Sequence, residues 1–314
     1  MDISIVVISY NSGDFLEGNL ESLVTQSPGF KEIVVVDNNS TDRSVEIIRR
    51  YPAAKLIALD YNSGYAGGAN MGIRNCTADL IMVANADIIL HPHFTKEVVS
   101  RFSRDRELAL LSPLILRFDK TTVDSAGQVP SRALYPREIG FGKPLWQVDV
   151  QEKEVFSVCG AATVFHQKAL EQLAMDGEYY DEDFFIFWED FDIGWRAHHL
   201  CLKTLLYPPA IVYHFRSATL ERNFISRFSL ALARSSIVKF HLVKNRYLTL
   251  IKNFRFSQHF KFIPFMVFKD IIWVTLLTIS SPKIIIKLMR SGKNFSRAFA
   301  RRKIIMTRSK TMKK

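Results

Sequence analysis

The chain's 314 residues are enough to bury a full core as one large domain or two, and 48% hydrophobic residues with a mean hydropathy of +0.03 exclude a polytopic membrane protein. The net charge of +11 conceals a division: residues 221–314 hold 22 Lys/Arg against 2 Asp/Glu, whereas residues 1–220 hold 20 against 29. An acidic body with a basic tail points the tail towards an anionic surface. The cysteines, Cys76, Cys159 and Cys201, form neither a metal spacing nor a disulfide framework, which favours a reducing compartment. With no basic leader or small-residue cleavage site at the N-terminus, no signal peptide is expected.

Taken in order, Ile3 to Ile8 reads as a buried strand that ends in Ser9-Tyr10-Asn11-Ser12 and is followed by an amphipathic helix through Phe15, Leu16, Leu20 and Leu23. A second strand, Glu32 to Val36, runs into Asp37-Asn38-Asn39-Ser40-Thr41-Asp42, where Ser40 or Thr41 would cap a helix from Asp42 to Arg50. Lys55 to Leu59 is a third strand, leading into Asn62-Ser63-Gly64-Tyr65-Ala66-Gly67-Gly68-Ala69-Asn70 and a short helix. Leu80 to Ala84 is apolar without alternation, as in a strand buried on both faces, and it stops abruptly at Asn85-Ala86-Asp87. These units argue for an open, mostly parallel α/β sheet with the polar clusters gathered at one edge in a nucleotide-sized crevice. There Tyr10 could stack on a base, Asp37 or Asn38 could accept from a ring N–H, and Gly64, Gly67 and Gly68 could admit phosphates. The plain alternatives are ordinary packing for Tyr10, turn residues for Asp37 and Asn38 and loop punctuation for the glycines; their placement after successive strands is what favours the crevice.

Phe94 to Phe102 reads as a helix, Leu108 to Leu116 as a strand interrupted at Pro113, and residues 119–153, rich in Gly and Pro, as a mobile loop or lid. Val155 to Phe165 reads as a strand with small residues, Gly160 and Ala161 among them, that leave room for close approach. The acids from Asp181 to Asp192 lie among aromatic residues, where partial desolvation raises a carboxyl pKa towards the range of a general base. Their simpler role is charge complementarity at a helix start, and Asp192 with Arg196 reads as a structural i, i+4 pair. His214 ends another apolar strand, with Asp87 as its candidate metal-binding partner. No Gly-x-Gly-x-x-Gly follows the first strand and no P-loop occurs, so dinucleotide oxidoreductases and P-loop ATPases lose support.

The ordered set Val6 to Asn11, Val35 to Asp42, Asn62 to Asn70, Asn85-Ala86-Asp87, Gly160-Ala161-Ala162, Phe185 to Asp192 and Val212 to His214 resembles the inverting family-2 glycosyltransferases of GT-A fold, within them the rhamnosyltransferase-like group of bacterial polysaccharide synthesis. The resemblance implies that Tyr10, Asn11, Asp37 and Asn38 hold the nucleoside of a nucleotide-diphospho-sugar donor, with Gly64, Gly67, Asn70 and Asn85 also on the donor side. It implies that Asp87 and His214 hold Mg2+ or Mn2+, that Asp190 is the base, and that Gly160, Ala161, Trp188 and Glu189 border the reacting sugars. The family's Asp-x-Asp has Asn85 at its first position here, a neutral and weaker ligand than a carboxylate.

Residues 1–217 are thus expected to form the GT-A domain and 218–314 a basic helical region. In the latter, Phe224, Ile225, Phe228, Leu232, Ile237, Val238 and Phe240 alternate with cations at helical spacing. The longest uncharged stretch, Ile271 to Pro282, is 12 residues, short of the roughly 17–25 that span a bilayer. A helix lying on an anionic leaflet is therefore expected, with packing against the body, leaving Arg301-Arg302-Lys303 exposed, as the other reading. The apolar runs argue against nucleic acid. The expected function is transfer of a sugar, with dTDP-rhamnose as favoured donor, to a lipid-linked saccharide at the cytoplasmic face of the bacterial inner membrane, the protein being peripheral. The alternatives are a nucleotidyltransferase using the same crevice and a catalytically retired GT-A scaffold.

Overall fold

Uninterrupted β-branched strands form the centre of a ten-stranded sheet in the computed structural model, which describes residues 1–215 and 235–311. Strands β1 (Ile3–Ser9), β2 (Ile33–Asp37), β3 (Ala54–Ala58) and β4 (Leu80–Asn85) are mutually parallel in the order β3-β2-β1-β4. The sheet continues through β11 (Ala162–His166), antiparallel to its neighbours, then β6 (Leu108–Arg117), β12 (Lys203–His214) and β10 (Lys153–Glu154). Leu16, Leu20, Phe94, Val98 and Phe102 from helices α1 (Leu16–Val24) and α4 (Phe94–Arg104), with Ile47 and Ile48 of α2 (Ser44–Arg49), pack on one face. Helices α3 (Gly64–Ile73), α5 (Gln167–Leu173) and α6 (Glu189–His199) cover the other. Burial on both faces is why β1, β2 and β4 show no alternation.

Three expectations are corrected. Pro113 does not interrupt β6, because an irregularity between Tyr207 and Ile211 of β12 accommodates it in register. The strand expected from Val155 starts only at Ala162. Residues 119–153 are not a free lid. β7 (Val123–Ser125) pairs with β6, β8 (Gln128–Pro130) and β9 (Pro136–Glu138) form a hairpin, and β10 joins β12.

The C-terminal region consists of α7 (Ser236–Asn253), α8 (Ile263–Ser280), α9 (Lys283–Met289) and α10 (Gly292–Thr311). Leu248, Leu250 and Ala298 close a third core with Phe184, Trp188, Phe191 and Trp195 of the body. Part of the tail's positive charge meets body acids. Lys252 bridges Asp181 and Asp192, and buried Arg301 pairs with Asp181 and, at 2.8 Å, with Glu178. Asp192 and Arg196 are the buried pair the sequence suggests, 3.0 Å apart. Arg301 is therefore not part of an exposed basic cluster. Phe224, Ile225, Phe228, Leu232 and the 217/218 boundary lie outside the described residues.

The helical stretch Phe256–Ser280 is, by length and composition, able to cross a membrane, and only 6% of its apolar window is buried. The apolar stretch is thus longer than the uncharged run of the sequence, which begins only after Asp270. The charges that interrupt it turn inward: Asp270 accepts from Arg246 at 2.7 and 3.1 Å, and Lys269 lies 3.7 Å from the centre of the Tyr135 ring. Phe265, Phe268, Ile271 and Ile279 are left on an exposed apolar surface.

Burial acts to raise the Asp181 pKa, but Lys252 and Arg301 override it and hold the carboxyl well below its ordinary value. The stabilisation is complete above the ordinary carboxylate pKa and lost as pH falls towards the depressed folded value. In urea titrations Asp181→Asn is expected to lose about 3–5 kcal/mol at pH 7, and to lose less further stability than wild type on going to pH 3. Equal losses in the two proteins would show that Asp181 does not link the tail to pH.

Candidate active site

The carboxyl ends of β1, β2 and β4 form one edge of the sheet. Asp37 and Asn38 are buried there. Asp37 accepts from Ser9 Oγ at 3.2 Å and from the Ser40 amide and hydroxyl at 2.9 and 2.6 Å. Asn38 Oδ1 accepts from Ser63 N and Oγ at 3.1 and 2.8 Å, which ties β2 to the turn before α3. Asn11, at φ 49°, donates its amide to Ser40 Oγ and accepts from Thr41 N, each at 2.8 Å. These side chains therefore brace the loops, and Ser40 and Thr41 are engaged here without capping α2. Tyr10 stands at the same edge, 52% exposed.

The glycines of α3 serve close contacts within the protein. A Cβ on Gly64, at φ 73°, would lie 2.3 Å from the Phe185 carbonyl oxygen, and one on Gly67 2.7 Å from Ser63 Cβ. On Gly68 it would lie 3.0 Å from Asn38 Nδ2. Each of these positions therefore needs a glycine for helix packing. Asn70 also belongs to the scaffold: fully buried, it donates to Tyr180 O and Glu182 Oε1 and accepts from Tyr179 N and Tyr180 N. With both ends of its amide engaged, it is not placed to read a donor.

At the end of β4, the turn through Asn85 and Asp87 feeds β5 (Ile88–Leu90), which pairs with the last residues of β12 and brings His214 opposite Ile88. His214 Nε2 lies 3.2 Å from Asp87 Oδ1, and Nδ1 lies 2.8 Å from Oδ2 of buried Asp124 on β7. Burial acts to lower the imidazole pKa, but the hydrogen bonds to Asp124 and Asp87 outweigh it and lift it to about 9. A carboxylate on Nδ1 that aims Nε2 at a second carboxylate is the arrangement that orients a histidine towards a cation. A divalent ion would displace the Nε2 proton that the neighbouring carboxylates stabilise, and Asp87 and His214 are the residues that would then hold it.

The second corner is built by Asp190 in the first turn of α6. Its Oδ2 accepts from Gly160 N at 2.9 Å and Gln128 Nε2 at 2.8 Å, and its Oδ1 from Phe191 N at 2.7 Å. Burial raises its pKa against the opposing pull of these donors. Gly160 permits the approach: a Cβ there would lie 3.3 Å from Asp190. Ala161 O in turn accepts from Asn85 N at 3.1 Å, so one turn touches both corners. Glu189 is buried and its Oε2 has no partner among the described residues; burial and neighbouring Asp190 and Asp192 push its pKa well up. Trp188 is 5% exposed, packed against Tyr135 and Phe191, and offers no face to a sugar, contrary to expectation.

Residues 4–174 match the sequence family described as glycosyl transferase family 2. The chain belongs to that family. Over 245 residues, 70% of this chain and 78% of the relative, it is 25% identical to an N-acetylglucosaminyl-diphospho-decaprenol L-rhamnosyltransferase of Mycobacterium tuberculosis. It is 27% identical over 203 residues, 62% of this chain and 61% of the relative, to a low-salt glycan biosynthesis hexosyltransferase of Haloferax volcanii. Its fold is shared with a mannosyltransferase from Pyrobaculum calidifontis solved in complex with GDP-Man and Mn2+, at a TM-score of 0.55 and 14% identity, covering 98% of this chain and 85% of that one. The fold is GT-A, and the chain is a glycosyltransferase of the kind that acts in glycan or polysaccharide synthesis.

Asp124, Gln128 and Glu138 escape sequence reasoning because they come from the segment read as a lid. Gln128 Nε2 also donates to Glu138 Oε1 at 2.7 Å, so its amide stands between two carboxyls. Cys159 lies within 4.8 Å of both, but burial and those acids push its thiol well up, leaving a neutral neighbour in place of a thiolate. Alternation around Gln128 on a strand edge was the available signal, and three residues are too few to show it. In this family-2 glycosyltransferase Gln128→Leu is expected to raise the Asp190 pKa by about one unit or more, since it removes a donor and leaves two carboxyls facing each other. Carbon-13 NMR of labelled aspartate reads this shift, and an unmoved titration would show that Gln128 does not tune Asp190.

Proposed function

We propose that this chain is an inverting glycosyltransferase that moves a 6-deoxyhexose, rhamnose from dTDP-rhamnose, onto a polyprenyl-diphosphate-linked saccharide. The observation that carries the reading is the Gly160–Ala161 turn, which holds Asp190 by one amide and the Asn85–Asp87 turn by one carbonyl. An acceptor hydroxyl at Asp190 would lose its proton to Oδ1 or Oδ2 as its oxygen attacks the anomeric carbon. Tyr10 would stack on the base, and the loops braced by Asp37, Asn38 and Asn11 would frame the nucleoside. Asp87 and His214 would hold Mg2+ or Mn2+, which when bound neutralises the departing nucleoside diphosphate. Donor and acceptor are supported by the resemblance to the decaprenol-linked rhamnosyltransferase.

The protein would sit on the cytoplasmic face of a bacterial inner membrane. Lys269 is held by Tyr135 of the body and Asp270 by Arg246 of α7, so α8 would lie beside the body in the interface, apolar side down, without crossing. Exposed Lys261, Lys283 and Lys287 flank or follow it and suit anionic headgroups, each worth about 1 kcal/mol near such a surface.

Calorimetry with dTDP-, UDP- and GDP-sugars should show one donor binding tightly with Mn2+ or Mg2+, and binding should collapse with EDTA and in Asp87→Ala. Metal-independent binding would remove Asp87 and His214 as ligands. Asp190→Asn should bind the donor normally and lose about 10²–10⁴-fold in kcat; unchanged turnover would refute the base. In flotation assays the wild type should rise with phosphatidylglycerol vesicles, whereas Phe268→Ser/Ile271→Ser should not. Equal flotation would remove α8 as the docking surface.

A further inference from the structure

We infer that Asn245 of α7 is a positioning residue for glycosyl transfer, its side-chain amide fixing the loop that sets the place of Asp190. This rests on the reading of Asp190 as the base. The loop before α6 is held in an unusual shape: Phe185, Phe187 and Trp188 have φ of 65°, 69° and 74°, conformations that bulky residues rarely adopt without support. The support converges on one atom. Asn245 Nδ2 lies 2.9 Å from Phe184 O, 2.7 Å from Ile186 O and 2.8 Å from Phe187 O. Neighbouring groups finish the grip: His241 Nδ1 is 3.1 Å from Phe184 O, and Lys244 Nζ donates to Asp183 O.

The direction of this arrangement matters. Asn245 is fully buried, yet its Oδ1 has no partner among the described residues. A buried acceptor is left unpaired while the amide nitrogen meets three carbonyls, so donation to the loop defines the site. Trp188 is the last left-handed residue, and Asp190 follows two positions later. Any relaxation of the loop therefore swings the carboxylate away from Gly160 N and Gln128. The other end of the loop touches the donor side, where Phe185 O accepts from Ala66 N at 3.3 Å and Phe185 packs against Gly64. Asn245 lies beyond the residues that match the family, so the C-terminal region contributes directly to the geometry of the catalytic centre.

The test compares wild type, Asn245→Ala, Asn245→Asp, Asn245→Ser and Asp190→Asn in the full chain. Turnover is read as nucleoside diphosphate released from dTDP-rhamnose with a polyprenyl-diphosphate-linked N-acetylglucosamine, alongside donor Kd and thermal unfolding. A displacement near 1 Å at a reacting group costs about 100-fold. Asn245→Ala is expected to lose about that much kcat per folded molecule with donor Kd within twofold. Asn245→Asp, equal in shape but presenting oxygens to three carbonyls, should fall at least as far, and Asn245→Ser, which keeps one donor, should lie between. Folded Ala and Asp variants within threefold of wild-type kcat overturn the proposal. Should neither fold, a Ser variant within threefold overturns it as well. If Asp190→Asn itself turns over normally, the base assignment fails first and the proposal falls with it. An inactive Asp190→Asn beside a fully active Asn245→Ala isolates the failure to Asn245.

Discussion

The amide of Gly160, donated to the carboxylate of Asp190, is the contact on which the site depends. It joins the strand that precedes one corner of the cleft to the helix that supplies the other. The next carbonyl reaches Asn85 N, and Tyr65 Oη donates to Gly160 O at 2.6 Å, so the turn is anchored on three sides. Two carboxylates, Asp87 and Asp190, are thereby kept at one sheet edge without pairing with each other. Each has its own environment: Asp87 faces an imidazole, and Asp190 faces neutral donors with burial raising its pKa. Separation of this kind is what the proposed roles require, one carboxylate to bind a cation and the other to accept a proton.

The C-terminal region has two chemically distinct sides. Its inner side carries Lys244, Asn245, Arg246, Lys252 and Arg301, all buried against acids, carbonyls or rings of the body. Unpaired charges would be costly there, and each of these cations has at least one acceptor within reach. The outer side presents the apolar surface of α8. Arg246 holds α8 through Asp270, and Asn245, the preceding residue, holds the loop before α6. One helix therefore connects the apolar surface to the loop that leads into Asp190.

The parallel strands and the edge where the polar clusters collect were legible because apolar runs and the residues that end them are local properties. Asn70 and Trp188 were not, since an asparagine or an aromatic residue reads alike whether it faces a ligand or stitches two segments together. Strands of two or three residues, as in β7 to β10, leave no periodicity, so the segment supplying Asp124 and Gln128 reads as a loop. Charge counting along α8 fails for a related reason. Lys269 and Asp270 interrupt the sequence but not the exposed face, and only tertiary packing determines which way they turn. The excess of cations in the tail was likewise plain, but its division between buried acids and solvent depends on partners more than 50 residues away in the chain.

The most direct measurement is the anomeric configuration of the first-formed product, read by proton NMR on the wild-type enzyme with its donor and acceptor. Attack by a hydroxyl deprotonated at Asp190 in a single displacement requires a product of configuration opposite to that of the donor sugar. A product that retains the donor's configuration would contradict Asp190 as the base and, with it, the roles assigned to the residues that hold it.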